Sequence, residues 1–198
     1  SSTASGGMLS FSSGAGTTST SGMVITSTPN SGAKGVSGKL SFISGTTSCG
    51  SSGSITLTSG DSTIGAAGSI ILSNGVGDLS SGAIHMVSGK SQDNTGGLIA
   101  IDSGIGTSNS SGSISIKTTN AGTNGISGSI LFNSGTTSSG ASGSIAVMSK
   151  DAIAGKGGNI VVNVGAYTGS AELSGGRFIV NSGDSSSTTG GSIRFRSG

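Results

Sequence analysis

The sequence predicts an all-β fold, a parallel β-solenoid (β-helix) whose flattened two-sheet coil has about 30 residues and consists of two 15-residue units. Three observations predict it. Glycines recur about fifteen residues apart, apolar residues alternate with polar ones after each glycine, and Gly-, Ser- and Thr-rich stretches separate the apolar segments. This periodicity outweighs a composition of 40 glycines and 8% charged residues, which by itself would indicate disorder.

The repeat has thirteen units, and each begins at a glycine that we call its anchor. We expect residues 1–198 to form a single continuous solenoid segment that belongs to a longer repeat protein. The anchors are Gly7, Gly22, Gly38, Gly53, Gly68, Gly82, Gly97, Gly112, Gly128, Gly143, Gly158, Gly176 and Gly191.

The second and fourth residues after each anchor predict the buried face of a short strand, because alternation with a period of two is typical of a half-buried strand. The second position is apolar in every unit: Leu9, Val24, Leu40, Ile55, Ile70, Ile84, Ile99, Ile114, Ile130, Ile145, Ile160, Phe178 and Ile193. The fourth position is apolar except at Thr26: Phe11, Phe42, Leu57, Leu72, Met86, Ile101, Ile116, Phe132, Val147, Val162, Val180 and Phe195.

Two patterns favour a coil of two units over a coil of one. Phenylalanine occupies the fourth position in odd-numbered units only, at Phe11, Phe42, Phe132 and Phe195. Residues 23–60 also align with residues 113–150 at an offset of 90, which equals six units. A two-unit coil would set two sheets face to face, and glycine would provide the positive φ angles of the corners.

Composition and motifs argue against several functions. A net charge of +2 with dispersed basic residues does not favour nucleic acid, and no apolar run is long enough for a membrane span. Ser88-Gly89-Lys90-Ser91 lacks the first glycine of a phosphate loop, and His85 has no ligating neighbour in sequence. The acidic residues do not gather at one repeat position, so we expect no enzyme, no metal and no cofactor.

Four apolar residues occupy the third position after an anchor in successive odd-numbered units, where a solvated sheet would carry polar groups. They are Ile71, Ala100, Leu131 and Val161. On the predicted solenoid they would line up as a lateral assembly stripe that contacts another chain or a neighbouring segment.

Four further features are candidate sites, each with a simpler alternative. The eighteen residues from Gly158 to Gly176 contain Tyr167 and Glu172 and predict either a specialised loop or a bulging corner. The C-terminal arginines form either an anion patch or a solvated edge. Asn109 begins the single N-glycosylation triplet, and Cys49 is either a turn residue or an interchain bridge. The arginines are Arg177, Arg194 and Arg196.

The architecture favours a structural extracellular protein, a repeat segment that stacks and bundles into a filament or cell-surface fibre or scaffold. Its partners would be copies of itself or neighbouring repeat segments, with glycans or mineral as further candidates. One alternative is a surface-binding module for ice or crystalline glycan, or an adhesin, although Thr56 and Thr58 are its single clear outward threonine pair. Another is a polysaccharide-processing enzyme, which the dispersed carboxylates disfavour.

The units of the form Ser-Gly-Ser-Ile-x-Leu/Phe-x-Ser-Gly-Thr-Thr-Ser-x-Gly, the connection 120–128 and the ninety-residue offset carry a resemblance over nearly the whole chain. The sequence resembles long Ser/Gly-rich repeat proteins, with predicted β-solenoid folds, from the surfaces of marine algae such as diatoms and other stramenopiles. The resemblance implies an extracellular location at the cell surface or wall. It transfers no functional residue.

Overall fold

The structure is a computed structural model that describes residues 6–168 and 174–197. Within these ranges the chain forms no α-helix and no β-strand. The predicted all-β parallel β-solenoid, with its flattened two-sheet coil, is therefore wrong. The chain divides into two compact units, Ser1–Ala100 and Ile101–Gly198. The single-segment organisation predicted for residues 1–198 stays a prediction.

The short sequence separation of the backbone hydrogen bonds explains why the predicted solenoid is not observed. A solenoid needs ladder bonds between residues one coil apart, but the backbone bonds in the described ranges join residues only three to eleven positions apart. All of them lie in the Gly-rich connections, and none joins one apolar segment to another. Alternation makes a sheet only where a second strand lies about 4.8 Å away. Within the described ranges no backbone hydrogen bond pairs two apolar segments in this way.

The predicted core is also missing from the described residues, since none of them is buried. The least exposed positions are small polar residues rather than the alternating Ile, Leu and Phe side chains. Half-buried positions are Thr28, Ser44, Ser88, Ser91 and Ser103.

The connections between apolar segments form closed loops. In the first compact unit the chain turns or bends at 17–19, 33–34, 48–50, 63–65, 78–79 and 92–94. In the second unit it does so at 107–109, 123–124, 138–140, 153–155 and 186–188. The anchor spacing read from the sequence therefore corresponds to a structural period, although the period consists of loops rather than strands.

Each loop closes where an anchor glycine meets the side chain that ends the preceding apolar segment, a contact that we call the loop neck. A Cβ on Gly22 would lie 3.1 Å from Ser13 Cβ, and a Cβ on Gly128 would lie 3.2 Å from Thr118 Cγ2. Contacts this short leave little room for a larger anchor, whereas at Gly53, Gly68, Gly82 and Gly143 the distance of 3.5–3.7 Å is an ordinary van der Waals contact. The residues that face the twelve anchors from Gly22 onward are Ser13, Thr28, Ser44, Ser59, Asn74, Ser88, Ser103, Thr118, Ser134, Ser149, Val164 and Ser182.

Two kinds of hydrogen bond close seven of the twelve loop necks in the described ranges. The Gly22 N–H donates to the Gly14 carbonyl at 2.9 Å. Equivalent bonds join Gly97 to Gly89, Gly112 to Gly104, Gly176 to Gly165 and Gly191 to Gly183. In addition, the Ser13 hydroxyl donates to the Gly22 carbonyl at 2.8 Å, as Thr28 does to Gly38 and Ser149 to Gly158.

The ninety-residue offset reappears in loop geometry. Gly50 has φ of +112° and Gly140 has φ of +120°, and they are the two described residues with positive φ. The Thr47 hydroxyl bonds to the backbone of Cys49 just before Gly50, and Thr137 bonds to Ser139 in the same way before Gly140. The expectation of positive-φ corner glycines thus holds at this pair. The other glycines of the described ranges do not have positive φ.

Candidate functional site

The best candidate site is the set of apolar side chains two and four residues after each anchor, which we call the apolar comb. At the second position their exposed fraction lies between 46% and 65%, apart from Leu9 at 80%. Side chains at the fourth position are mostly more exposed than these. Most side chains of the comb are thus partly covered by neighbouring residues, and together they leave a large apolar area exposed to solvent.

Other apolar side chains lie at loop tips and are more exposed than the comb. Ile64 and Ile153, for example, have the exposure of a side chain with no neighbour. Similar residues are Val36, Val76, Leu79, Ile105 and Ile126. The second comb position is therefore consistently better covered than these loop tips.

The comb carries no charge. Of its positions, Thr26 alone is polar, and all Lys, Arg, Asp and Glu residues lie elsewhere in the sequence. A charged group would have to be desolvated if this surface were covered, at a cost of several kcal/mol per ion. The comb can therefore be covered without that cost.

The four residues of the predicted lateral stripe are all exposed. Ile71, Leu131 and Val161 have exposed fractions between 72% and 80%, and Ala100 is exposed too. Ile71 and Ala100 belong to the first compact unit, and the other two belong to the second. Their alignment as one stripe was derived from the solenoid, so the stripe stays a prediction that now lacks that basis.

The long interval after Gly158 forms the widest described loop neck. The Gly176 N–H donates to the Gly165 carbonyl at 3.1 Å across eleven residues, and a Cβ on Gly176 would lie 2.7 Å from Val164 Cγ1. Tyr167, inside this loop, is 39% exposed, the lowest value among the large apolar and aromatic side chains described. Glu172, its predicted companion in a specialised loop, lies outside the described residues.

The anion patch predicted at the three C-terminal arginines stays a prediction. Arg177, Arg194 and Arg196 are exposed and form no hydrogen bond or ion pair within the described ranges. An open depression of about 480 Å³ lies next to Arg194 in sequence, lined by Val180, Asn181, Ser182, Asp184 and Ile193. Its one charged lining group is the Asp184 carboxylate, which does not favour an anion.

Asn109 and Cys49 both lie at exposed bends. Asn109 occupies the bend 107–109, where its triplet is accessible, and Cys49 occupies the bend 48–50 as a free thiol. The Cys49 N–H donates to the Thr47 hydroxyl at 3.3 Å. These positions match the predicted loop locations, and glycosylation and interchain bridging stay predictions.

The described residues contain no group of His, Cys, Asp and Glu side chains that could hold a metal ion. None of them belongs to a helix that is long and apolar enough to cross a bilayer.

The residues that sequence reasoning missed are those of the loop necks. Serine or threonine faces the anchor in all necks except those of Asn74 and Val164. The signal was present in the sequence as a small hydroxyl residue nine or ten positions before most anchors.

No protein-family model, curated protein or solved structure matches the chain.

Proposed function

We propose that the chain is a structural segment that works by assembling with further copies of itself through the apolar comb. The observation that carries the proposal is that no described residue is buried, while apolar side chains recur about every fifteen residues in both compact units. Apolar surface exposed to water favours association. A second copy presents apolar side chains at the same spacing, and its comb is equally uncharged.

The size of the exposed surface supports association rather than function as a separate monomer. The accessible surface is 19827 Å² for a chain of 18.5 kDa. A folded monomer of that mass exposes about 8,200 Å² and an unfolded chain about 27,000 Å². The excess over a folded monomer is several times the roughly 1,600 Å² that a standard protein interface buries. The area is therefore sufficient for contacts with more than one copy.

The proposal extends to a filament, fibre or scaffold outside the cell or at its surface. Repeating contacts between identical chains that do not close into a ring generate open assemblies. The extracellular location rests on the resemblance to Ser/Gly-rich algal surface proteins alone.

The experiment compares two variants with equal numbers of Ile→Ser changes. The comb variant carries Ile84→Ser, Ile99→Ser and Ile114→Ser, and its control carries Ile64→Ser, Ile105→Ser and Ile153→Ser at loop tips. Each comb isoleucine contributes a part of the roughly 1.5–3 kcal/mol of full burial. We therefore expect the comb variant to raise the concentration needed for assembly by about tenfold or more, and the control to change it much less.

Sedimentation velocity over a range of concentrations measures the assembly, and electron microscopy of the wild-type particles images it. Elongated particles whose formation depends on the comb support the proposal. A wild-type chain that stays monomeric at high concentration contradicts it, and so does equal weakening by the two variants.

A further inference from the structure

Two asparagines precede glycine in this chain, Asn74 before Gly75 and Asn124 before Gly125. In an Asn-Gly pair the backbone nitrogen of the glycine can attack the side-chain carbonyl carbon of the asparagine. The absence of a glycine side chain leaves this approach unhindered. The flanking residues are similar, a hydroxyl residue before each pair (Ser73, Thr123) and a β-branched apolar residue after it (Val76, Ile126), so the main difference between the pairs lies in the structure.

The two Asn-Gly pairs differ in the hydrogen bonding of the glycine nitrogen that would attack. The Gly125 N–H donates to the Gly122 carbonyl at 3.2 Å and closes the turn at 123–124. Attack by this nitrogen would break that hydrogen bond and open the turn. Among the described residues, by contrast, no acceptor takes the Gly75 N–H.

The structure also differs around the first asparagine. Asn74 occupies the loop-neck position that is serine or threonine in most other units. Its Cγ and Nδ2 lie 3.6 Å from the position of a Cβ on Gly82, which as glycine leaves that space open. Unlike the Ser13, Thr28 and Ser149 hydroxyls, the Asn74 carboxamide forms no hydrogen bond to its anchor or to another described residue.

We propose that Asn74 is a site of spontaneous conversion to aspartate and isoaspartate, and that the turn at Asn124 protects the second Asn-Gly pair. The Gly75 nitrogen bonds to Asn74 Cγ, the side-chain amide leaves as ammonia after taking up the proton of the Gly75 N–H, and a five-membered succinimide forms. Water then opens the ring at either carbonyl. Opening at one carbonyl gives aspartate, and opening at the other gives isoaspartate.

The conversion changes the loop neck chemically. It replaces a neutral carboxamide by a carboxylate in a chain whose net charge is only +2. The isoaspartate product also routes the backbone through an additional carbon between Asn74 and Gly75. The inference does not depend on the proposed function, because it concerns groups within a single loop.

The test incubates dilute protein at mildly alkaline pH and follows both sites by mass spectrometry and isoaspartate-specific methylation. We expect Asn74 to convert about fivefold faster than Asn124, which is the effect of one net hydrogen bond. The same incubation in denaturant removes the turn, and there the two rates should become nearly equal. A native Asn124 that converts as fast as Asn74, or faster, overturns the proposal.

Two variants identify the chemistry. Asn74→Gln should abolish conversion at this position on the same time scale. Gly75→Ala should slow it, and the structure accepts the change, because a Cβ on Gly75 meets no atom within 4 Å and φ is not positive. If Gly75→Ala converts as fast as the wild type, attack by the Gly75 nitrogen is contradicted.

Discussion

Individual glycines have different tasks in this chain, and the sequence does not reveal which glycine has which task. Positive φ is confined, within the described ranges, to Gly50 and Gly140, whereas at anchors such as Gly22, Gly38 and Gly128 a side chain from the preceding segment leaves little room for a Cβ. Both tasks select the same residue type. Sequence reasoning therefore located the corners correctly but gave most of their glycines the wrong physical reason.

At Gly50 and Gly140 the structure predicts a torsional cost for alanine. A Cβ on Gly50 meets no atom within 4 Å, so the cost of Gly50→Ala comes from the positive φ alone, about 1–2 kcal/mol. Gly140→Ala should cost the same. In each case the population of the native bend falls by about five- to thirtyfold.

Amide NMR shifts of Cys49 and Ser139 measure the two bends, since both amides donate to a threonine hydroxyl. Gly45→Ala is the matched control, because its Cβ would also lie in open space and its φ is not positive. Equal shift changes for Gly45→Ala and Gly50→Ala would refute the torsional explanation.

The element of this structure is the loop closed by its neck. Sequence analysis recovered the period of about fifteen residues but assigned it to strands. The ninety-residue offset, used to support a two-unit coil, instead separates the two loops that share positive φ, at Gly50 and Gly140. Sequence analysis did not recover the contact between each anchor and the residue that ends the preceding segment, because Ser-Gly pairs are equally typical of any turn. The neck at Ser13 and Gly22 is the clearest case, with hydrogen bonds from both the backbone and the hydroxyl.

The hydroxyl contribution to the neck can be measured with Ser13→Ala. The substitution keeps the Cβ contact with Gly22 and removes the hydroxyl bond to the Gly22 carbonyl. The net loss is at the lower end of the 0.5–1.5 kcal/mol typical of a hydrogen bond, because the group is exposed, so the closed neck should become about two- to fivefold less populated.

The temperature coefficient of the Gly22 amide shift reports the closed neck, since this amide donates to Gly14. Ser149→Ala should have a similar effect on its own loop. Ser12→Ala is the control, because its hydroxyl has no partner among the described residues. An effect of Ser12→Ala as large as that of Ser13→Ala would contradict a specific role of the Ser13 hydroxyl in closing the loop neck.

On the scale of the whole molecule, sequence analysis predicted which side chains are apolar and how they recur, but not what covers them. Ile55 and Leu57 follow the pattern of a buried strand face, yet both are exposed. The alternation shows which side chains form an apolar surface. That surface could be covered equally well by a second sheet of the same chain or by another molecule. The described residues form no second sheet, so the apolar comb is left open to another molecule.

Association through an apolar comb has a distinct response to solution conditions. Hydrophobic association weakens on cooling, so warming from about 5 °C to about 35 °C should strengthen assembly. The few charged residues, 16 of 198, lie off the comb, so raising NaCl from about 0.05 M to about 0.5 M should not dissociate it. Light scattering follows both.

The opposite response, dissociation by salt or on warming, would assign the association to charge pairs instead. A heat-denatured and recooled sample is the control for irreversible aggregation, because only reversible scattering reports the equilibrium.

Because each loop closes within about a dozen residues of its own beginning, no unit depends on a distant one for its local shape. A gene that encodes such a chain can gain or lose whole units by unequal recombination between its repeats, and every remaining loop keeps its neck. Length then becomes a trait that can vary in increments of about fifteen residues, while an in-frame insertion or deletion of part of a unit would interrupt only one loop's closure. Because no described residue is buried, an added unit does not have to fit into an existing core.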